Sequence, residues 1–201
     1  MFKGPGKDKT NSTKNGNDMV QKWTILKRRM IADYRLFQIE KKKVKSPRTG
    51  AAMDVQAIHF PDWVVVLPIT SDQTVVMIHQ YRHGNEKICL ELPGGLVDPD
   101  DDSPETTVHR ELLEETGYRS KRIVKIGETY PQPAILSNRC IFYLANDVKQ
   151  VGAMSLDAGE DISLVHIPID AILSKIKRRE IDNAMTILAF SYYWMMASYL
   201  I

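Results

Sequence analysis

Short runs of β-branched and aromatic residues fill most of the chain, separated by polar turns. "KWTILKRRM" (22–30) and "DYRLFQIEKKKV" (33–44) alternate apolar and polar positions as half-buried strands do. "SPRTGA" (46–51) reads as a turn, and "DVQAIHF" (54–60) as a third strand. "WVVVLPIT" from Trp63 is rich in β-branched residues and predicts a buried strand. The polar "TSDQ" then predicts a hairpin into "QTVVMIHQYRH", and "KICLELPGG" is a short strand ending at Pro93. A helix is predicted next. Ser103 suits its N-cap, Pro104 its first position and Gly117 its stop, so it runs to Thr116. "RIVKIGETY" and "NRCIFYLAND" are strands around the loop "PQPAILS". After the loop "VGAMSLDAGED" come the strand "ISLVHIPI" and two closing helices, "DAILSKIKRR" and "DNAMTILAFSYYWMMASYL". Strands and helices mix without regular βαβ alternation and without internal repeats. The fold class is therefore α+β, a mixed sheet between helices with an N-terminal antiparallel strand appendage.

At 201 residues, with 43% apolar and 26% charged residues, the chain is one ordinary globular domain with at most a small appendage. The net charge of +2 hides an asymmetry, since residues 1–50 hold 14 Lys and Arg against 4 Asp and Glu. The glycine and aromatic pattern of a nucleic-acid module does not accompany these lysines, so no nucleic-acid partner is expected. Residues 1–19 read as a disordered basic tail. Cys89 and Cys140 form no CxxC and fit reduced thiols in a cytoplasmic protein. Residues 184–201 are uncharged, at the lower limit of a membrane span. Their tyrosines, serines and threonine point instead to a buried terminal helix, with a dimer contact or a membrane tail as alternatives.

The predicted first helix carries the chemistry. "RELLEETGY" (110–118) puts Glu111, Glu114 and Glu115 within one and a half turns. At about 100° per residue, Glu111 lies about 40° from Glu115 and about 60° from Glu114, so all three share a face. Val108 and Leu112 mark a neighbouring apolar strip, and Arg110 can reach Glu114 at i+4. Like charges at this spacing repel, and clustered hard oxygens suit Mg²⁺ or Mn²⁺. Gly94 and Gly95 let backbone approach an ion or phosphate closely. A solvated acidic surface helix is the alternative that the three glutamates by themselves leave open.

"GGLVDPDDDSPETTVHRELLEETGY" resembles the Nudix box, the signature of Nudix hydrolases. Its second half matches that pattern at Arg110, Glu111, Leu112, Glu114, Glu115, Gly117 and Tyr118. Its first half departs from it: Asp102 stands for Glu, and six residues rather than five separate it from Gly95. The resemblance implies the Nudix fold and hydrolysis of a nucleoside diphosphate linked to another group. It also implies Mg²⁺, or Mn²⁺, held by Glu111, Glu115, Glu114 and the Gly94 carbonyl, with Arg110 orienting the glutamates. The domain boundaries follow as a tail over 1–19, dimer-forming strands over 20–58 and a Nudix hydrolase domain over 59–201.

"QYRHG", a proline fifteen residues past Tyr118 and "REIDNAMTILAF" resemble the ADP-ribose and ADP-sugar pyrophosphatase branch, over roughly residues 35–195. That likeness implies substrate contacts from Arg82, Pro133 and Arg139, and a general base at Glu160, with Asp161 its local competitor. Phe37, or Trp23 in its place, sits near where the branch stacks adenine. Ala134, Ile135 and Asn138 depart from the branch around that proline. The implied activity splits ADP-ribose or a related ADP-sugar into AMP and a sugar phosphate in a homodimer. GDP-mannose, or a non-catalytic sensor, are the alternatives. His79, His83 and His109 make no metal-ligand spacing.

Overall fold

The computed structural model describes residues 20–198, so the expected tail at 1–19 lies outside the described residues, as do 199–201. Strands β1 (Thr24–Asp33), β2 (Gln38–Lys45) and β3 (Ala52–His59) form an antiparallel sheet of their own, in that order. The stretch from 33 to 44 divides into the end of β1, a turn and β2, because Tyr34 closes a tight turn by donating its amide to the Phe37 carbonyl at 2.9 Å.

The second sheet contains β4 (Trp63–Ile69), β5 (Thr74–Arg82), β6 (Lys87–Glu91), β8 (Arg122–Thr129), β9 (Cys140–Asn146) and β11 (Ile162–Pro168). Its order is β11-β5-β4-β9-β8, and β6 pairs with β5. β4 and β9 run parallel, the other pairs antiparallel. A two-residue ribbon, β7 (Tyr118–Arg119) with β10 (Lys149–Gln150), stands apart. Helices are α1 (Pro104–Thr116), α2 (Ile172–Lys177) and α3 (Ala184–Ser198), with a 3₁₀ turn at Ile169–Ala171 where the helix "DAILSKIKRR" was expected to start.

Period-two alternation makes this a sandwich. On β9, Ile141 and Tyr143 join Val64, Val66 and Val76 in a core under α1, while Phe142 and Leu144 face the α2–α3 side with Leu67 and Met77. Val108 and Leu112 of α1, both fully buried, close the first core as their spacing implied, each contributing about 1.5–3 kcal/mol of burial. α3 closes the second. Ala189 and Phe190 are fully buried there, and its polar groups reach other elements. Tyr192 donates to the Glu128 carbonyl at 2.8 Å, and Thr186 accepts from the Leu92 amide at 3.1 Å. Gly127 makes room for Tyr192, since a Cβ there would lie 2.6 Å from its ring. The uncharged segment is thus a packed helix over 184–198, and no described helix is long and apolar enough to cross a membrane.

Candidate active site

α1 begins and ends where its sequence demands. Ser103 Oγ accepts from the Thr106 amide at 3.2 Å, and Gly117 takes a left-handed φ of 74° while donating to the Leu113 carbonyl at 2.8 Å. That fixes the glutamates against the loop before it. The loop runs alongside β4. The Pro93 and Gly95 carbonyls accept from the Val66 and Val64 amides at 3.0 and 2.9 Å. The Gly94 carbonyl between them takes no hydrogen bond among the described residues. Glycine is required here on two counts. A Cβ at Gly94 would lie 2.2 Å from the Val64 carbonyl oxygen, and one at Gly95 2.3 Å from Glu111 Oε1.

The three glutamates share a face but not an environment. Glu115 is 2% exposed and accepts the Gly94 amide at 2.8 Å. Glu111 is also buried, and Glu114 lies half out. Arg110 Nη1 donates to Glu111 Oε1 at 2.9 Å and to Glu114 Oε2 at 3.1 Å, the i+4 contact expected. Burial pushes the Glu111 carboxyl up to about 7, with Arg110 pulling against it and the charges of Glu114 and Glu160 adding to it. Burial likewise pushes Glu115 up to about 8, against the Gly94 hydrogen bond and with help from the Glu111 and Glu160 charges.

Glu160 is therefore close enough for its charge to be felt at both buried glutamates. Its Oε2 accepts the Asp157 amide at 3.1 Å, closing its loop. Asp161 beside it is exposed.

The loop acid is Asp101, not Asp102. Asp101 Oδ2 accepts from Arg110 Nη2 at 3.1 Å and from Thr107 Oγ1 at 2.8 Å, whereas Asp102 is exposed. Five residues separate Gly95 from Asp101, so the extra residue falls between the acid and the helix. Counting forward from the glycine would have found it. Counting back from Arg110 selects Asp102.

A cavity of about 560 Å³ opens beside Gly94 and Gly95, walled by Arg82, Glu91, Trp63 and Asn183. Arg82 grips Glu91 through Nε and Nη2, the closest contact being 2.8 Å, and Glu91 is 3% exposed. Glu91 was not singled out from sequence, where nothing but its proximity to the glycines marks it. The other substrate candidates sit elsewhere. Arg139 holds Asp62 through Nε and Nη2, at 3.0 and 2.6 Å, and also by its backbone amide. Pro133 lines a second cavity, of about 580 Å³, with Trp23, Lys42 and Ser137. Phe37 stacks on Phe60 at 5.1 Å between ring centroids, and Phe60 meets Trp63 edge-on at 6.0 Å, so an aromatic chain leads from the β1–β2 turn to the first cavity.

Among the described residues no three His, Cys, Asp or Glu side chains converge as a ready metal cluster. The donors nevertheless fit a hard divalent cation. Two enclosed carboxylates are held uncomfortably close to one another, and the free Gly94 carbonyl lies on the loop whose amide Glu115 accepts. The site is short of positive charge.

A NUDIX domain model matches residues 59–187. The "Methanol dehydrogenase activator" of Bacillus methanolicus is 29% identical over 83% of this chain and 90% of its own length. The "ADP-ribose pyrophosphatase" of Bacillus subtilis (strain 168) is 29% identical over 71% of this chain and 77% of its own. The "GDP-mannose pyrophosphatase" of Escherichia coli O9:H4 (strain HS) is 32% identical over 64% of this chain and 70% of its own. Among solved structures, an "ADP compounds hydrolase" superposes with a TM-score of 0.79 at 23% identity, covering 90% of this chain and 98% of that one. This last likeness establishes the fold.

Proposed function

This chain belongs to the NUDIX family, and on that premise we propose that it hydrolyses the pyrophosphate of ADP-ribose or a related ADP-sugar, giving AMP and a sugar phosphate. One observation carries this: the buried Glu111–Glu115 pair, held by Arg110 and the Gly94 amide, opens beside a cavity whose wall bears Arg82. Glu111, Glu115 and the Gly94 carbonyl would hold Mg²⁺, with Mn²⁺ suiting the same donors and Glu114 an additional ligand. When bound, such a cation would neutralise the pyrophosphate and polarise the phosphorus under attack.

The remaining work falls to side chains. Arg110 holds Glu111 and Glu114 in one orientation. Arg82, steadied by Glu91, presents its guanidinium to a substrate phosphate. Glu160 Oε1, which has no partner among the described residues, takes a proton from water as the water oxygen joins phosphorus. The bridging oxygen leaves with the other phosphate. Pro133 and Arg139 would meet the substrate outside the first cavity.

The chain divides into a tail over 1–19, strands over 20–58 and the hydrolase domain over 59–201. The strands form a homodimer, a reading supported by the exposed Trp23, Leu26, Met30, Tyr34 and Leu36 on and around β1, which buries no residue in the single chain. Phe37 or the more exposed Trp23 of one copy would stack the adenine held by the other. The two unpaired, buried cysteines fit a cytoplasmic enzyme.

The likeness to a GDP-mannose pyrophosphatase favours GDP-mannose as a second substrate reading. A panel of nucleotide sugars with Mg²⁺, products resolved by chromatography, separates the two. ADP-ribose should be turned over fastest, giving AMP and ribose 5-phosphate. A higher kcat/KM for GDP-mannose than for any ADP-sugar would transfer the assignment to the second reading.

A further inference from the structure

On the side of α1 away from the glycine loop lies a groove of about 890 Å³ between the helix and the β7–β10 ribbon. Five cationic side chains line it: Arg110, Arg119, Lys121, Arg122 and Lys149. Its one carboxylate is Asp147. Arg110 is committed to Asp101, Glu111 and Glu114, and Arg122 to Asp147 at 2.8 Å. Arg119, Lys121 and Lys149 have no acidic partner among the described residues.

The ribbon sharpens the imbalance. Arg119 and Lys149 are directly opposite one another across its two strands. Like charges in that relation do not help a strand pair.

The groove is nonetheless built firmly. The Gly117 carbonyl accepts the Val151 amide at 2.9 Å, tying the ribbon's end to the helix cap. Ser120 Oγ donates to the Asn146 carbonyl at 2.5 Å and accepts the Arg122 amide at 2.9 Å, fixing the turn that carries Lys121. Cations presented by a fixed backbone lose less freedom on meeting a ligand than cations on a loose loop.

We propose that this groove is a second binding site, separate from the catalytic cavity, for a chain of linked phosphates. Several unpaired cations around one concavity match several linked anionic groups, and charge-assisted contacts from Arg and Lys are the strong ones for phosphate oxygens. Nucleic acid fits less well, because no Phe, Tyr or Trp lines the groove to stack successive bases, and His109 is the one ring there. Inorganic polyphosphate and the phosphate chain of a nucleoside triphosphate share the chemistry recognised.

The test is titration calorimetry on the full chain, with tripolyphosphate and then ATP as probes and EDTA present so that neither is hydrolysed. Tripolyphosphate should bind, more weakly as salt rises from about 50 to about 200 mM. The double substitution Arg119→Glu with Lys149→Glu should weaken it by at least about tenfold. Arg82→Ala should leave that binding unchanged, while the double variant should keep its hydrolytic rate within about twofold. Lys121→Ser, a milder change, should weaken binding about threefold with an unaltered circular dichroism spectrum. ATP binding as tightly as tripolyphosphate identifies a nucleotide's phosphate chain as a ligand. ATP binding much more weakly identifies free polyphosphate. Either result supports the groove if the double variant loses it. Unchanged affinity in the double variant, or loss of binding in Arg82→Ala, would overturn the proposal by placing the anion elsewhere.

Discussion

At the scale of single residues, the site rests on what burial does to carboxylates. Glu115 and Glu111 are enclosed and are pushed up to about 8 and about 7, while Glu114, four positions from Arg110, remains partly in water. Sequence spacing put the three on one face but gave no depth, because depth depends on the loop that covers two of them. The same limit explains Asp101. Two adjacent aspartates are equivalent in a pattern, and only the reach of Arg110 distinguishes them. Glu160 and Asp161 pose the equivalent choice in the β10–β11 loop. Glu160→Gln is expected to lower kcat by at least about tenfold with little change in the Mg²⁺ concentration required, since it acts on water and not as a ligand. Steady-state kinetics on both variants checks this. A large loss in Asp161→Asn with a normal Glu160→Gln would move the base by one residue.

At the scale of elements, α1 was readable to both its ends, because Ser103, Pro104 and Gly117 each have a local reason to be where they are. The long strands were readable from alternation. β7 and β10 were not, since two residues carry no period. The expected antiparallel appendage is the β1–β3 sheet, but the ion cluster within it lay beyond pattern, because it is assembled across strands. On β2, Glu40 is covered mainly by its partners: Arg28 at 3.2 Å, Lys42 at 3.2 Å and His59 at 2.9 Å. His59 in turn meets Ser137 at 3.1 Å, joining this sheet to the loop after β8. Burial tends to raise the Glu40 carboxyl, but the hydrogen bonds from His59, Lys42 and Arg28 together lower it from 4.5 to about 2. A depressed folded-state value means that this stabilisation is complete above the ordinary value of 4.5 and is lost as pH falls toward 2. Urea unfolding of wild type and Glu40→Gln should therefore differ most near neutral pH and converge as pH falls from 4.5 to about 2. A gap that stays constant through that interval would show that the Glu40 charge is not its source.

At the scale of the whole molecule, the two-sided sandwich and its core were legible, because both follow from strand alternation, the apolar strip of α1 and the apolar α3. Not all of the expected substrate contacts line one cavity in the single chain. Pro133, Arg139 and Phe37 do not line the cavity beside Gly94: Pro133 lines the second cavity, Arg139 is held by Asp62, and Phe37 packs on Phe60. An assembly in which β1 to β3 of one copy meet the cavity of another would unite them, and assembly leaves no periodic trace in a sequence. Light scattering should give about twice the 22.9 kDa chain mass. Deleting residues 1–19 should leave mass and activity intact, and deleting 1–50 should abolish both. An active monomer after the longer deletion would return the strands to a dispensable appendage.

The central claim is that the enclosed carboxylates of α1 hold a cation that pyrophosphate hydrolysis requires. The most direct measurement is AMP release from ADP-ribose as Mg²⁺ is titrated back after EDTA, in wild type and in Glu115→Gln. Wild type should be silent with EDTA and recover saturably with Mg²⁺. Glu115→Gln keeps the side-chain shape but removes a negative ligand, and its kcat should stay at least about 10³-fold lower at every Mg²⁺ concentration. Glu115→Gln turnover within about tenfold of wild type, or undiminished wild-type turnover in EDTA, would contradict the account.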